Sequence, residues 1–362
     1  MAMVIHRRRA ALLLAAAAAA GVFAVAVVLS RGGADGRSGA EVPSGDDSPA
    51  TQPAESYPPA ELVQACEAAA KRLRERLDET FNVAVLPPFV VAGDCTRGRL
   101  DGYVKWSVVR PAEAMWASYF DEKPAGVITV LLFADGRSYR HWAKQLFGDT
   151  VLPHFGYCRS DGTLVMDIST GTGTLVHELT HSLIKYDFPA VPDWFNEGLA
   201  SLHEQCSVGE DRIVGHVNWR LPELQKAVKA GKLRPLRELV TARDFYGPLK
   251  GLNYAQARYF AMYMQEQGVL GEFYKTFRDM HAEGEEPNSD DRAANESSNT
   301  DDQQTGESQS EVLNPPVLSP GAPGSKGNSQ FPDVQAVEQI LGRKIEDVDA
   351  DLRKWVMTLR AR

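Results

Sequence analysis

The chain has 362 residues, a formal net charge of −9, 43% apolar residues and four cysteines. About 250 residues are readable as globular sequence, enough for one well-buried catalytic domain. Most of the charge lies in residues 282–330, where ten acidic residues face Arg292 and Lys326, so 10 − 2 leaves −8 in that segment. The remainder is close to neutral and has no basic stripe with interleaved aromatic residues, which argues against nucleic acid as a partner.

Residues 1–30 are typical of a signal peptide or membrane anchor. A basic stretch, residues 6–9, precedes an apolar run from Ala10 to Leu29 that is long enough to span a bilayer as a helix. Positive charge before the run keeps the amino terminus in the cytoplasm. Ala24 and Ala26 form an A-x-A cleavage pattern, so a cleaved signal and a retained anchor both stay open. The sequence predicts an extracytoplasmic protein, either single-pass membrane-anchored or secreted.

Residues 31–57 are rich in Gly, Ser, Pro and Asp, which predicts a flexible linker before a domain spanning 58–362. Hydrophobic periodicity predicts alternating helices and strands in the first half of that domain. In chain order they are a helix at Pro58–Thr80, strands at Phe81–Val91 and Gly126–Phe133, a helix at Ser138–Leu146, an edge strand at His154–Cys158, and a strand at Thr163–Ile168 followed by a turn at Thr170–Thr174 that can cap the next helix.

The most informative motif is HELTH at residues 177–181. Since an α-helix turns about 100° per residue, His177 and His181 project from one face and can share a metal ion. Helices with the H-E-x-x-H pattern bind zinc, and Glu178 is placed to accept a proton from a metal-activated water without ligating the metal. A third ligand is required. Glu197 is the best candidate, because its apolar helical stretch can dock against the first helix after a short turn.

The combination of HELTH with WFNEGLA at residues 194–200 resembles the gluzincin zinc metallopeptidases, most closely their peptidase MA-like branch. The resemblance covers about 62–281 and 331–359. It implies a zincin-like α+β fold, in which a small mixed or antiparallel sheet packs on the active-site helix and a mainly helical part follows. Gly198, within the second motif, permits close backbone approach.

Residue roles follow from the same resemblance. It implies a Zn²⁺ ion held by His177, His181 and Glu197, with Glu178 as the general base. Tyr254, in a segment similar to the family's YxQA helix start, is implied as a catalytic donor to the oxyanion, with helix packing as the alternative. In the family the edge strand holds the substrate backbone; a plain structural strand is the alternative here.

Three further residues near the motifs are candidates for supporting roles. Some gluzincins place a carboxylate four residues after the glutamate ligand to orient a histidine, but this chain has Ser201 there. Glu204 could take that role, although a solvated helix face is the simpler interpretation. His203 and His216 lack helical spacing to the motif, which favours structural roles.

The second half of the domain is predicted to be mainly helical. The apolar periodicity marks helices at Pro222–Ala230, Leu236–Val240, Tyr254–Gln267, Gly271–His281, Val334–Leu341 and Ile345–Leu359. Residues 282–330 interrupt this run with polar and acidic sequence that predicts a disordered, solvated insertion.

Export would permit two disulfides among Cys66, Cys95, Cys158 and Cys206. Pairing of Cys66 with Cys95 and of Cys158 with Cys206 is favoured, with four free thiols as the alternative. The absence of a C-x-x-C spacing argues against zinc binding by cysteine.

Together these features predict an extracytoplasmic zinc metallopeptidase that hydrolyses peptide or protein substrates and contacts the membrane only if residues 1–30 are retained. A catalytically inactive peptide-binding module on a peptidase fold is the main alternative, and a structural envelope protein with an accidental motif is a third. The sequence leaves cleavage specificity and oligomeric state open, because specificity depends on pocket shape.

Overall fold

A computed structural model of the chain describes residues 57–153, 155–284 and 332–360. The predicted export segment, the linker up to residue 56 and the acidic insertion from residue 285 onward lie outside these residues. Within them the chain is α+β, as predicted. None of the described helices has both the length and the apolar character needed to cross a bilayer.

A five-stranded mixed sheet forms the first part of the domain. Its strands are β1 Asn82–Leu86, β2 Phe89–Gly93, β3 Ile128–Phe133, β4 Gly156–Cys158 and β5 Leu164–Asp167, arranged in the order β1-β2-β3-β5-β4. The central pairs β2–β3 and β3–β5 are parallel, whereas the outer pairs β1–β2 and β4–β5 are antiparallel. The predicted edge strand near residue 158 is therefore confirmed as β4.

Helices make up most of the remaining described structure. They are α1 Ala60–Arg76, α2 Arg97–Tyr103, α3 Arg110–Ser118, α4 Gly136–Phe147, α5 Gly173–Asp187, α6 Asp193–His203, α7 Leu221–Lys229, α8 Leu236–Val240, α9 Lys250–Glu266, α10 Leu270–Gly284, α11 Pro332–Leu341 and α12 Ile345–Thr358. A π-helical segment, Val104–Val109, joins α2 to α3. A small hairpin, β6 Cys206–Val208 with β7 Ile213–Gly215, follows α6.

The prediction of one strand over Phe81–Val91 is wrong, because this segment forms the β1–β2 hairpin. Leu86 pairs with Phe89 across a two-residue turn. The turn residues are Pro87 and Pro88, which have no backbone N–H to donate and cannot continue a ladder. Because the residues on both sides of the turn are apolar, the sequence pattern did not indicate a break between two strands.

Alternation of side chains along the strands gives the sheet two apolar faces. Val90 and Leu131 pack on the face covered by α1 and α4. Val91 and Leu132, one residue further along, pack on the opposite face with α5 and the helices of residues 97–118. Those helices were not predicted from the sequence. They cover the second face of the sheet and pack against α5.

Strand β5 delivers the chain directly into α5, in the predicted order of strand, turn and metal helix. The turn does not cap α5 in the expected way. Thr172 precedes the helix but makes no side-chain hydrogen bond to it. By contrast, α4 begins at Gly136, two residues earlier than predicted, because the Asp135 carboxylate accepts hydrogen bonds from the next turn's backbone N–H groups.

Helix α6 packs against α5 on one side and α9 on the other. Gly198 lies at the α6–α9 contact, where an added Cβ would be 2.9 Å from the carbonyl oxygen of Ala257. The expected close backbone approach is thus confirmed. Among the boundaries that differ from prediction, α9 begins at Lys250, four residues before Tyr254, and α10 includes residues 282–284, which were assigned to the insertion.

The predicted disulfides are wrong, because all four cysteines are free. Cys66 is buried on the sheet face covered by α1, whereas Cys95 belongs to the core on the other face. The sheet separates these two thiols. Cys158 lies on β4 and Cys206 on β6, which belong to different sheets.

Candidate metal centre

Three side chains from α5 and α6 converge at one point beside the sheet. His177 and His181 lie one turn apart on α5, and Glu197 lies on α6. The two Nε2 atoms are 3.0 Å apart, and Glu197 Oε2 is 3.5 Å from each of them. The group could hold a metal ion. The three residues predicted as ligands are therefore brought together.

The separations of these donor atoms match a tetrahedral metal site. Metal–ligand distances of about 2.0–2.1 Å place donors roughly 3.3 Å apart at a tetrahedral ion. The observed separations of 3.0 to 3.5 Å bracket that value. Glu197 Oε2 is also buried without a hydrogen-bond partner. A buried carboxylate oxygen facing two imidazole nitrogens requires a shared proton or a cation.

A neighbouring amide fixes the orientation of His181. Asn196 Oδ1 lies 2.7 Å from His181 Nδ1. Because an amide oxygen can only accept a hydrogen bond, Nδ1 carries the hydrogen and Nε2 keeps its lone pair toward the cluster. Hydrogen bonding of the far ring nitrogen is the usual way in which a protein sets the tautomer of a ligating histidine.

A carboxylate lies beside the far ring nitrogen of His177, at ion-pair distance and without a hydrogen bond to it. Glu204 Oε1 lies 3.4 Å from His177 Nδ1. Both oxygens of Glu204 also accept hydrogen bonds from the Arg220 guanidinium, with Nη2 to Oε1 at 3.0 Å. The interpretation of Glu204 as a solvated helix face is therefore wrong. Seven residues separate it from Glu197, so both lie on one face of the same helical path.

The charges of the cluster favour ionised carboxylates. Burial opposes ionisation of Glu197, but its close approach to His177 and His181 holds its pKa well below the usual value. Burial likewise opposes ionisation of Glu204, and its contacts with His177 and Arg220 lower its pKa to about 2. Conversely, burial alone would lower the pKa of His177, whereas Glu197 and Glu204 raise it to about 10. The two carboxylates thus favour a positive charge at the imidazoles, which a proton on His177 or a bound cation can supply.

Two tyrosines lie close to Glu197. The Tyr246 hydroxyl donates to Glu197 Oε1 at 3.0 Å. Tyr254 packs against Tyr246 at a ring-centroid distance of 6.3 Å. Burial, followed by the Glu197 carboxylate, raises the pKa of Tyr254. Tyr254 therefore lies near Glu197, and its predicted role as an oxyanion donor stays a prediction, while Tyr246, in the loop between α8 and α9, was missed.

Glu178 and the edge strand border the cluster on another side. Glu178 follows His177 on α5 and is half-buried. Desolvation, and next the Glu178 carboxylate, raise the pKa of the Cys158 thiol on β4 to about 11. Strand β4 thus lies within electrostatic reach of Glu178. Among the described strands β4 pairs only with β5, so its other edge is available.

The remaining candidates support the fold rather than the cluster. His203 is fully buried and its Nδ1 lies 3.1 Å from Thr180 Oγ1. Burial, together with the charges of Arg258 and His177, lowers its pKa to about 3, so it is neutral. His216 pairs with Ser207 at 2.9 Å on the surface. Neither histidine belongs to the metal-binding group, in agreement with the prediction.

Ser201 has a backbone role behind α6. Its carbonyl oxygen accepts a hydrogen bond from the buried Arg258 guanidinium at 2.9 Å. Arg258 also donates to the carbonyl of His216. This arginine links α9 to the end of α6 and to the residue after β7, and so holds the helix that carries Glu197 in place.

Comparison with known proteins adds no relationship for this chain. No family model matches it, and no curated protein matches it at a significant level.

Proposed function

We propose that this protein is a zinc-dependent metallopeptidase of the gluzincin type with a zincin-like fold, acting outside the cytoplasmic membrane. One observation carries the proposal: two imidazole nitrogens and one carboxylate oxygen from adjacent helices converge within 3.5 Å of one another, with Glu178 next in the chain to His177. The proposed location rests on the sequence of residues 1–30.

The donor set supports zinc. Two neutral imidazoles and one carboxylate at tetrahedral spacing, with room for a fourth ligand, are typical of catalytic zinc sites. Harder cations such as Mg²⁺ and Ca²⁺ favour six or more oxygen ligands. This cluster offers them at most one protein oxygen, which comes from Glu197. Asn196 sets the tautomer of His181 that a metal needs, and the Glu204 carboxylate lies 3.4 Å from His177 Nδ1.

Bound zinc would acidify a water molecule and polarise the carbonyl group of the peptide bond. Glu178 is placed to accept the proton of that water and to return it to the leaving amine, which is the work of a general acid–base group. Tyr254 keeps its phenolic proton, because burial and the Glu197 carboxylate raise its pKa. It can donate that hydrogen to the oxygen of the attacked carbonyl as negative charge develops.

The edge strand supplies a way to bind the substrate backbone. Strand β4 pairs with β5 on one side and borders Glu178. An extended peptide that adds to its open edge would satisfy backbone hydrogen bonds without reading side chains. This placement brings the scissile bond past the metal cluster and suits a peptide or protein substrate.

The substitution Glu178→Gln tests the assignment. It should leave stoichiometric zinc in the full-length protein and lower the turnover of a peptide library by about 10²- to 10⁴-fold or more, because proton transfer loses its base. Zinc is measured by elemental analysis of dialysed protein, and turnover by mass spectrometry of the library. Glu67→Gln, an exposed substitution on α1, should change neither quantity.

Three outcomes contradict the proposal. Absence of stoichiometric metal from the wild-type protein would contradict the assigned metal centre. Full turnover by Glu178→Gln shows that another group is the base. If zinc-loaded wild-type protein cleaves no peptide, the result favours the alternative of an inactive peptide-binding module.

A further inference from the structure

A large pocket lies next to the metal centre, between α7 and the start of α9. Its volume is about 820 Å³, far more than one side chain occupies. Trp219 and Leu249 stand at its wall and remain exposed, by 75% and 46%. Alanines and Leu252 line the interior. Exposed large apolar groups beside a concave surface are typical of a binding site.

The pocket is continuous with the site residues. Tyr254, placed beside Glu197, forms part of its lining. Arg220, which binds Glu204, forms another part. A ligand in this pocket therefore lies against Tyr254, which is close to Glu197, and against Arg220, which binds the carboxylate beside His177.

The charges of the pocket are strongly asymmetric. Four cations, namely Arg220, Lys226, Lys232 and Lys250, line it against one acid, Glu223, so 4 − 1 leaves +3. Arg220 is engaged with Glu204, and Lys226 lies 3.6 Å from Glu223.

The other two lysines lack an acidic partner among the described residues. Lys232 makes no ion pair there, and Lys250 only approaches the rings of Tyr246 and Tyr254 at 5.5 Å. In a chain whose net charge is −9, a positive apolar pocket of this size selects an anionic ligand.

We propose that this pocket binds the part of a peptide substrate next to the scissile bond and selects an apolar side chain accompanied by a carboxylate. The apolar group would bury against Trp219 and Leu252, and the carboxylate would meet Lys232 and Lys250. The carboxylate can belong to an acidic side chain or to the peptide's carboxyl terminus. This inference rests on the proposed peptidase function and adds a substrate class to it.

The binding test uses the full-length Glu178→Gln protein, so that peptides bind without being cut. Two fluorescein-labelled peptide pools carry Leu or Phe followed by Glu in one pool and by Gln in the other, each with free or amidated carboxyl termini. The Kd is measured by fluorescence anisotropy. We expect the pool with a carboxylate to bind about threefold to tenfold more tightly, because exposed ion pairs are individually weak.

The arms of the test separate the two carboxylate sources. Preference for Glu over Gln in amidated pools identifies an acidic side chain, and preference for free over amidated termini in the Gln pool identifies the terminal carboxylate. A third pool with Ser in place of Leu and Phe should bind at least about tenfold more weakly, because it gives up the burial of a large apolar side chain.

The double variant Lys232→Glu/Lys250→Glu should abolish or reverse the preference, and the milder Lys232→Gln/Lys250→Gln should abolish it. The matched control is Lys229→Glu, an exposed residue at the end of α7 outside the pocket, and it should leave the preference unchanged. Circular dichroism checks the fold of each variant.

Equal Kd values for all pools, or equal effects of Lys229→Glu and the double variants, overturn the proposal. Failure of every pool to bind overturns it as well. Carboxylate-selective binding without turnover by the wild-type enzyme contradicts only the peptidase function. Turnover without carboxylate preference contradicts only the pocket.

Discussion

Asp187 on α5 and Glu197 on α6 are both buried carboxylates, but they differ in how far protein donors pair their oxygens. Asp187, at the end of α5, has a fully buried side chain. Its Oδ1 accepts the backbone N–H groups of Asp121 and Glu122 at 2.7 and 2.6 Å, and its Oδ2 accepts Arg278 Nη1 at 2.9 Å. Every oxygen of this carboxylate is paired with a protein donor.

Glu197 is nearly as buried, with a side chain 9% exposed. Its Oε1 accepts the Tyr246 hydroxyl, but its Oε2 has no donor and faces the two imidazole nitrogens instead. The oxygens of Asp187 are all paired within the protein, whereas Glu197 Oε2 has no protein donor that a cation would have to displace. We therefore expect Asp187 to stabilise the fold and Glu197 to serve the proposed metal site.

Removing the charge of Glu197 should break this contrast most strongly. Glu197→Gln keeps the shape and the contact with Tyr246 but loses the anionic ligand, so stoichiometric zinc should be lost on dialysis. Metal binding to the native state stabilises it by mass action. A chelator should therefore lower the melting temperature of the wild-type protein and leave that of the variant unchanged. Elemental analysis and thermal melting measure the two effects.

The matched control is Asp193→Asn on the same helix, where the residue is exposed. It should retain zinc and the chelator effect. Full zinc content in Glu197→Gln would mean that the third ligand is another group.

Asp187 should show the reverse behaviour. Asp187→Ala leaves the Arg278 guanidinium and two backbone N–H groups without their common acceptor, and loss of one partner from a buried pair costs about 3–5 kcal/mol. Urea unfolding should show this loss of stability while zinc stoichiometry stays at the wild-type level. Zinc loss in a folded Asp187→Ala protein would contradict the division between the two carboxylates.

Asp279 provides a close control for that measurement. It also pairs with Arg278, at 3.0 Å, but its side chain is 62% exposed. An exposed ion pair contributes at most about 1 kcal/mol. Asp279→Ala should therefore cost far less than Asp187→Ala, although both substitutions remove a partner of the same arginine.

Local sequence patterns predicted the central part of the site. The four-residue spacing of His177 and His181 depends only on helix geometry, so the motif was readable without a tertiary structure. Short apolar runs bounded by turn residues predicted β3, β5 and the edge strand β4 in the same way. Glu197 was predictable because its helix had an apolar face that had to pack on a neighbour.

Features that depend on distant contacts were not predictable to the same degree. The Pro87–Pro88 turn sits inside a continuous apolar run, and the helices of residues 97–118 become necessary only because one sheet face must be covered. Tyr246 lies in a loop without periodicity, so nothing local points it at Glu197. Glu204 did carry a signal, because seven residues place it on the same helix face as Glu197, but its partner Arg220 comes from another segment.

Glu204 lies between the two extremes of the comparison and should give the smallest of the three effects. Arg220 donates to both oxygens of Glu204, much as protein donors pair Asp187, yet one of these oxygens also lies 3.4 Å from Nδ1 of His177, a proposed metal ligand. Glu204→Gln keeps a side chain that can contact Nδ1 but removes the charge that holds the ring. Loss of such a supporting contact typically lowers metal affinity by about 10- to 100-fold.

Competition with a fluorescent zinc chelator measures the affinity of the Glu204→Gln variant. Glu210→Gln, an exposed change in the β6–β7 turn, should leave it unaltered. Zinc should still be present in Glu204→Gln at saturating concentration, because all three donors remain, which separates this variant from Glu197→Gln. An unchanged zinc affinity would mean that Glu204 only stabilises the fold, as a partner of Arg220.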